Sequence, residues 1–399
     1  MTQSMRHNNP TVQTGLSRLV SDFTHTLKGS RLGVLCHPAS VNENYQHIVP
    51  LLKAQKNLDL RAIFSPQHGY AGEKQDNMVE SPHYTDPISG LPVYSLYSET
   101  RKPSPDMLKD IDVMLIDLQD VGTRVYTFIY TMALTMEVCG LNDVKVVVLD
   151  RPNPIGGSLV EGNLLDIKFK SFVGLYPIPM RHGMTLGELA TLFNEEYSAR
   201  CELEVIEMAS YKRSMWFDDT GLPWVLPSPN MPTLDTASVY PGMVLFEGTM
   251  VSEGRGSTRP FEIIGSPYIN AAELVDMLDT YKLPGIHFRA LSFEPTFHKY
   301  ATELCGGVQL HVTDRNTFKP YLTGLAVIQA LRSLYPENFE WKSPPYEYEY
   351  EKLPIDLLIG DENIRKMLDE VPDIYYIENS WMDGLRDFQA LRARYLRYP

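Results

Sequence analysis

Cysteine is scarce in this chain: 399 residues hold four, at positions 36, 139, 201 and 305. So wide a spacing leaves no C-x-x-C pair, which excludes a zinc ribbon or a thioredoxin-like redox pair. No apolar run approaches the ~18 residues that a membrane-spanning helix requires. Basic tracts are missing too, since 36 lysines and arginines face 50 acidic residues for a net charge of −14. That balance opposes a sequence-independent grip on nucleic-acid phosphates and a polybasic membrane anchor. The first ten residues lack the apolar centre of a signal peptide, so a cytoplasmic protein with reduced cysteines is expected. Intrinsic disorder is excluded by a composition that is 43% apolar and 11% aromatic without a long biased tract.

What is present is a change of period along the chain. Short apolar runs at 32–36 (LGVLC), 58–64 (LDLRAIF), 113–118 (VMLIDL) and 144–149 (VKVVVL) suit strands covered on both faces. A further run at 91–97 (LPVYSLY) reads as an added strand, and helical stretches at 45–55, 105–109 and 126–139 lie between. This alternation predicts an α/β fold: a doubly wound N-terminal domain over residues 1–165, with right-handed crossovers. From 166 to 399 the pattern becomes that of a smaller α+β domain. Thr185-Leu-Gly-Glu188 and Asn270-Ala-Ala-Glu273 read as capping boxes opening amphipathic helices. Runs at 203–208, 286–291 and 308–312 read as strands, and 381–396 as a last amphipathic helix. The tyrosine-rich segment 343–351 (SPPYEYEYE) is expected as a surface strand or loop with one aromatic face; lining a sugar subsite is its alternative reading.

Ligands of open α/β sheets bind beyond the carboxyl ends of the strands. Here those ends open into polar loops: Ser65-Pro-Gln-His-Gly with Glu73 after the second strand, Asp117-Leu-Gln-Asp-Val-Gly-Thr-Arg after the third, and Asp150-Arg-Pro-Asn-Pro after the fourth. Val160-Glu-Gly, Arg181-His-Gly and Pro227-Ser-Pro-Asn-Met-Pro follow, then the glycine-bearing loop Ser252-Glu-Gly-Arg-Gly-Ser-Thr-Arg. Gly254-Arg-Gly256 resembles an anion-holding nest, but a dinucleotide fingerprint needs a third glycine and a first βαβ strand. No P-loop, H-E-x-x-H or G-x-S-x-G motif occurs, and no closely spaced histidine pair, so neither a cofactor nor a metal is expected. Carboxylates and arginines dominate instead: Glu73, Asp117, Asp120, Asp150, Glu161, Glu247 and Glu253 beside Arg124, Arg151, Arg181, Arg255 and Arg259. Paired carboxylates are what glycosidic-bond cleavage needs, and an arginine offers a planar fork to a substrate carboxylate. Several of these residues have duller readings. Asp117 and Asp150 equally suit backbone caps or arginine holders, Glu188 a helix cap, and Cys36 a buried filler.

Seven of these motifs, in this order, resemble the bacterial DUF1343 family, associated with exo-β-N-acetylmuramidases of the NamZ type. The resemblance spans nearly the whole chain, from about Val12 to the C-terminal helix. It implies a Rossmann-like N-terminal domain, a smaller C-terminal domain and an active cleft between them. It also implies release of terminal N-acetylmuramic acid from the non-reducing end of peptidoglycan fragments, with no nucleotide cofactor. One position departs from the family's pattern: the residue before His-Gly, often glutamate, is Gln67. An amide cannot supply a carboxylic proton, so Glu73 is expected as the general acid/base, with Asp120, Glu161 or Glu253 as second carboxylate. Gln67, His68 and Asn153 are expected on sugar hydroxyls, and Arg124, Arg151, Arg181 or Arg255 on the lactyl carboxylate. His182, Asn230 and Thr258 complete the expected substrate contacts. A saccharide or muropeptide is the expected partner; a sugar-binding protein without turnover, or an enzyme of a phosphorylated metabolite, are the alternatives.

Overall fold

The computed structural model describes residues 12–75 and 78–399. Residues 1–11, with the N-terminal stretch read for a signal peptide, and residues 76–77 lie outside the described residues.

The apolar runs form a seven-stranded sheet. Its strands are β1 (Arg31–Cys36), β2 (Asp59–Ser65), β3 (Tyr84–Thr85), β4 (Pro92–Ser95), β5 (Val113–Asp117), β6 (Lys145–Leu149) and, after the hairpin pair β7 (Glu161–Leu164) and β8 (Pro179–Arg181), β9 (Leu203–Ile206). The order is β3-β4-β2-β1-β5-β6-β9, parallel throughout except where β3 runs antiparallel to β4. Leaving out the short β3, this is the doubly wound Rossmann-like order, whose direction of progression reverses between β1 and β5. Period-two alternation explains why the runs read as continuously apolar. Leu32, Val34 and Cys36 enter one core cluster with Ile63, Val113, Leu115 and Val147, whereas Leu35, Phe64, Met114, Ile116 and Val148 enter a second on the opposite face. Cys36 is the buried filler it was read as.

Strand β9 corrects the expected partition. Residues 203–208 were assigned beyond the 165 boundary, yet Leu203–Ile206 pairs in parallel with β6 and completes the first sheet. Hydrogen-bonding partners far away in sequence, invisible to local periodicity, decided the matter. The C-terminal part holds an antiparallel sheet of β10 (Ile263–Ser266), β12 (Cys305–Val312) and β11 (Ile286–Phe293), in that order. Its helices Leu234–Met243 and Pro320–Leu334 cross through glycines. A Cβ on Gly242 would lie 1.8 Å from the Pro320 carbonyl oxygen, and one on Gly324 would lie 2.4 Å from that of Gly242. This crossing carries the turn Val244–Gly248, and with it Glu247, up to the end of the large sheet.

Thr185 and Glu188 make the reciprocal capping box as read. Asn270 caps its helix, but Tyr335 intervenes on the return side: its hydroxyl accepts the Asn270 N–H at 2.9 Å and meets Glu273 at 3.1 Å. Among the described residues no helix is long and apolar enough to cross a membrane.

Candidate active site

Beyond the carboxyl ends of β2 and β5 lies a cavity lined from both halves of the chain. Gln67, His68, Tyr126 and Thr127 face Asn230, Tyr240, Glu247, Arg255, Tyr346 and Glu347 across it. The loop after β2 turns sharply because His68 and Gly69 take left-handed backbone conformations, at φ 75° and 85°. It is pinned by the His68 ring, whose Nδ1–H donates to the Lys74 carbonyl at 2.6 Å. Across the cavity, Thr127 precedes the largely buried helix Phe128–Leu141. Its hydroxyl donates to Gln67 Oε1 at 2.8 Å, which orients the amide so that Nε2 donates to Glu347 Oε1 at 3.1 Å.

Glu347 belongs to the tyrosine-rich segment, and its burial corrects the surface reading of that segment. Tyr346 and Glu347 are each only 4% exposed. Both oxygens of Glu347 are engaged, since Tyr97 donates its hydroxyl to Oε2 at 2.6 Å. Burial is the main cause that raises its pKa from 4.5 to about 7, and nearby Glu247 adds to it; the Tyr97 and Gln67 hydrogen bonds pull the other way. Glu347 and Tyr348 hold left-handed conformations at φ 46° and 66°, which a non-glycine residue adopts at a cost. Arg101, sandwiched between the rings of Tyr97 and Tyr348 at 4.2 and 4.1 Å from their centroids, clasps the segment to the first domain.

A second carboxylate, Glu247, accepts from Tyr346 OH and from Arg255 Nη2, both at 2.6 Å. Arg255 Nε pairs with Glu253 at 3.1 Å, and Lys299 with Glu253 at 2.7 Å. Burial by itself would raise the Glu253 pKa, but Lys299, Arg255 and His298 outweigh it and bring it to about 2. Arg255 Nη1 is buried with no hydrogen-bond partner. The guanidinium lines both this cavity, of about 30 Å³, and an adjoining one of about 160 Å³ that includes Glu253, His298 and Lys342. The described residues contain no cluster of three His, Cys, Asp or Glu placed to hold a metal.

Of the residues expected from sequence, Gln67, His68, Asn230 and Arg255 line the cavity and Glu253 its neighbour. The others stand elsewhere, each for a physical reason. Glu73 is exposed and lines neither cavity, and Thr258 is exposed as well. Asp120 is buried against His182, whose Nδ1 accepts from Met184 N, leaving Nε2–H to meet Asp120 Oδ2 at 3.2 Å. Glu161 accepts the N–H groups of Tyr321 and Leu322 at 3.2 and 2.8 Å and so caps the helix Pro320–Leu334. Together with Arg181 it lines a separate cavity of about 440 Å³. Arg124 is fully buried and donates to four carbonyls, those of Asn163, Ile178, Leu358 and Ile359. Arg151 forks onto Asp117 at 2.5 and 2.9 Å, Asn153 bonds to Met184 O at 3.0 Å, and Arg181 donates to Ile155 O at 2.5 Å. Buried Asp150 receives Tyr398, Thr185 and Gly187, the capping role that was its duller reading.

The glycine loop is not an open nest. Gly254 donates its N–H to Ser252 Oγ at 3.1 Å, and a Cβ there would meet the Ile263 carbonyl oxygen at 2.6 Å. Gly254 serves close packing against β10, and Gly256 against the backbone of Thr296 and Phe297. Sequence reasoning missed Glu347 and Thr127 as cavity groups and Tyr97 as a donor to Glu347. In Tyr-Glu-Tyr-Glu-Tyr-Glu nothing local distinguishes the buried glutamate from Glu349 and Glu351.

This doubly wound α/β unit, roofed by a second domain, holds in one cavity the paired carboxyls that glycosidic-bond cleavage uses. Family models describe the same molecule in two parts: the N-terminal domain of the exo-β-N-acetylmuramidase NamZ matches residues 32–235 and its C-terminal domain 238–398. The chain belongs to the NamZ family. It is 48% identical over 389 residues to the peptidoglycan β-N-acetylmuramidase NamZ of Bacillus subtilis strain 168, covering 98% of this chain and 92% of that protein. Two crystal structures of DUF1343 family proteins from Bacteroides fragilis NCTC 9343 are also similar. One has a TM-score of 0.88 at 34% identity, covering 98% of this chain and 100% of that one. The other has a TM-score of 0.76 at 30% identity, covering 97% and 99%.

Proposed function

We propose that this protein is an exo-β-N-acetylmuramidase that releases terminal N-acetylmuramic acid from the non-reducing end of peptidoglycan fragments. The observation that carries this reading is the pair of buried carboxyls in one cavity, Glu347 with its pKa raised to about 7 and Glu247 ion-paired to Arg255. Two acids in unlike environments are what glycosidic cleavage uses, one to protonate the leaving oxygen and one to assist at the anomeric carbon. Of the four arginines considered for the lactyl carboxylate, Arg255 is the one that lines the cavity, and its unpartnered Nη1 supports that role. Arg124, Arg151 and Arg181 are occupied by protein oxygens elsewhere. Within this proposal the substrate is a soluble fragment met in the cytoplasm.

The test is mass spectrometry of the products from N-acetylmuramic acid β-1,4-linked to N-acetylglucosamine, beside the same reaction with N,N′-diacetylchitobiose. Free N-acetylmuramic acid from the first and no cleavage of the second are expected. Absence of release from the muramyl disaccharide would sink the activity, and equal cleavage of both would remove Arg255 from the lactyl group.

A further inference from the structure

Resting on the muramidase reading, we infer that Glu347 is the proton donor to the glycosidic oxygen and that Gln67 is its positioning residue. Gln67 stands in the loop after β2, and Glu347 reaches its amide from the opposite domain, 3.1 Å away. The carboxyl is held from two sides. Tyr97 fixes Oε2, Gln67 fixes Oε1, and Thr127 locks the amide so that it presents N–H rather than oxygen. The Arg101 clasp holds the segment that carries the carboxyl in place against the cost of left-handed backbone at Glu347 and Tyr348. Glu73, by contrast, is exposed and lines neither cavity.

The chemistry closes on groups of this cavity. As the anomeric C–O bond breaks, the leaving oxygen keeps the electron pair and takes the Glu347 proton. Water adds to the anomeric carbon and passes its proton to Glu247. Return of that proton to Glu347 restores the starting state. The titratable and charged groups around Glu347 are Tyr97, Tyr240, Glu247, Tyr346, Tyr348 and Arg101, and His68, Tyr126 and Arg255 line the same cavity. Burial raises the pKa of every one of these tyrosines. The raised Glu347 pKa therefore sets the basic limb: kcat/KM falls as pH rises through about 7.

The experiment compares wild type and Glu347→Gln on two substrates, the muramyl disaccharide and 4-nitrophenyl N-acetylmuramide. Nitrophenolate departs without a proton, whereas a sugar alkoxide does not. Loss of the acid is expected to reduce kcat on the disaccharide by about 10²–10⁴-fold, to reduce it far less on the nitrophenyl glycoside, and to abolish the basic limb. Equal losses on both substrates, or near-normal turnover of the disaccharide, would overturn the assignment. If Glu347→Gln does not fold, Glu347→Asp decides: slower turnover that keeps the basic limb supports the inference, and loss of the limb refutes it. Gln67→Glu tests the positioning role. A second carboxyl beside Glu347 makes the pair share a proton and moves the basic limb to higher pH, while an unmoved limb refutes it. Wild type that cleaves neither substrate would remove the muramidase reading itself, and this assignment with it.

Discussion

Glu253 shows how much a single buried charge depends on its neighbours. It is fully buried, yet Lys299, Arg255 and His298 bring its pKa from 4.5 to about 2. A carboxyl depressed in the folded state contributes stability that is present above its unfolded pKa and lost as pH falls through the folded one. Glu253→Gln is therefore expected to cost about 3–5 kcal/mol at neutral pH, because Lys299 loses its carboxylate partner and Arg255 one of its two. The difference in melting temperature from wild type should shrink as pH falls from about 4.5 toward 2, and a constant difference would show that charge is not the cause. At Glu73 the expectation runs the other way. An exposed carboxylate outside both cavities should leave kcat near its wild-type value when changed to glutamine, and a loss of several orders of magnitude would return it to the mechanism. The sequence reading chose Glu73 and passed over Glu347; exposure separates the two.

Among the elements, the helix Pro320–Leu334 and the segment 343–351 carry the clearest consequences. Glu161 satisfies two N–H groups at the start of that helix. Glu161→Ala leaves both without a partner and should cost about 1–3 kcal/mol in chemical denaturation, with kcat on the disaccharide retained. A selective loss of kcat would make Glu161 the second carboxylate after all. The segment at 343–351 bears on access. The two adjoining cavities measure about 30 and 160 Å³, below the ~300–1,000 Å³ usual for ligand sites. A sugar is therefore admitted by transient opening of the cavity walls and held once they close, so amide exchange at 346–348 should slow when N-acetylmuramic acid is bound. Exchange unchanged by saturating sugar would place the bound sugar away from this segment. The tyrosine alternation gave the segment its extended reading, but the face that turns inward depends on Arg101 and Tyr97, more than 240 residues earlier in the chain.

At the scale of the molecule, one hydrophobic cluster runs from Leu35 and Phe64 through the helix Phe128–Leu141 to Tyr321, Leu358 and Tyr395. The Arg124 guanidinium stitches the same union, joining carbonyls of the β7–β8 region to those ending the helix Pro354–Ile359. Both parts should consequently unfold in one calorimetric transition, and Arg124→Met should lower its temperature; two resolved transitions would show that the domains stand apart. The strands of the large sheet, the capping box at Thr185 and the family's ordered motifs were legible in the sequence, because strand period, cap chemistry and motif order are local properties of the chain. The membership of β9 in the first sheet, the structural contacts of Arg124, Asp120 and Glu161, and the burial of Glu347 were not. Each depends on which groups distant in sequence come to share a buried, low-dielectric space, where an unpaired charge or N–H is costly and a partner decides its environment. The sequence by itself determined the fold class and the carboxylate-and-arginine character of the site; only the tertiary structure decided which carboxyl is buried in the cavity, because desolvation is a property of the packed molecule and not of the chain.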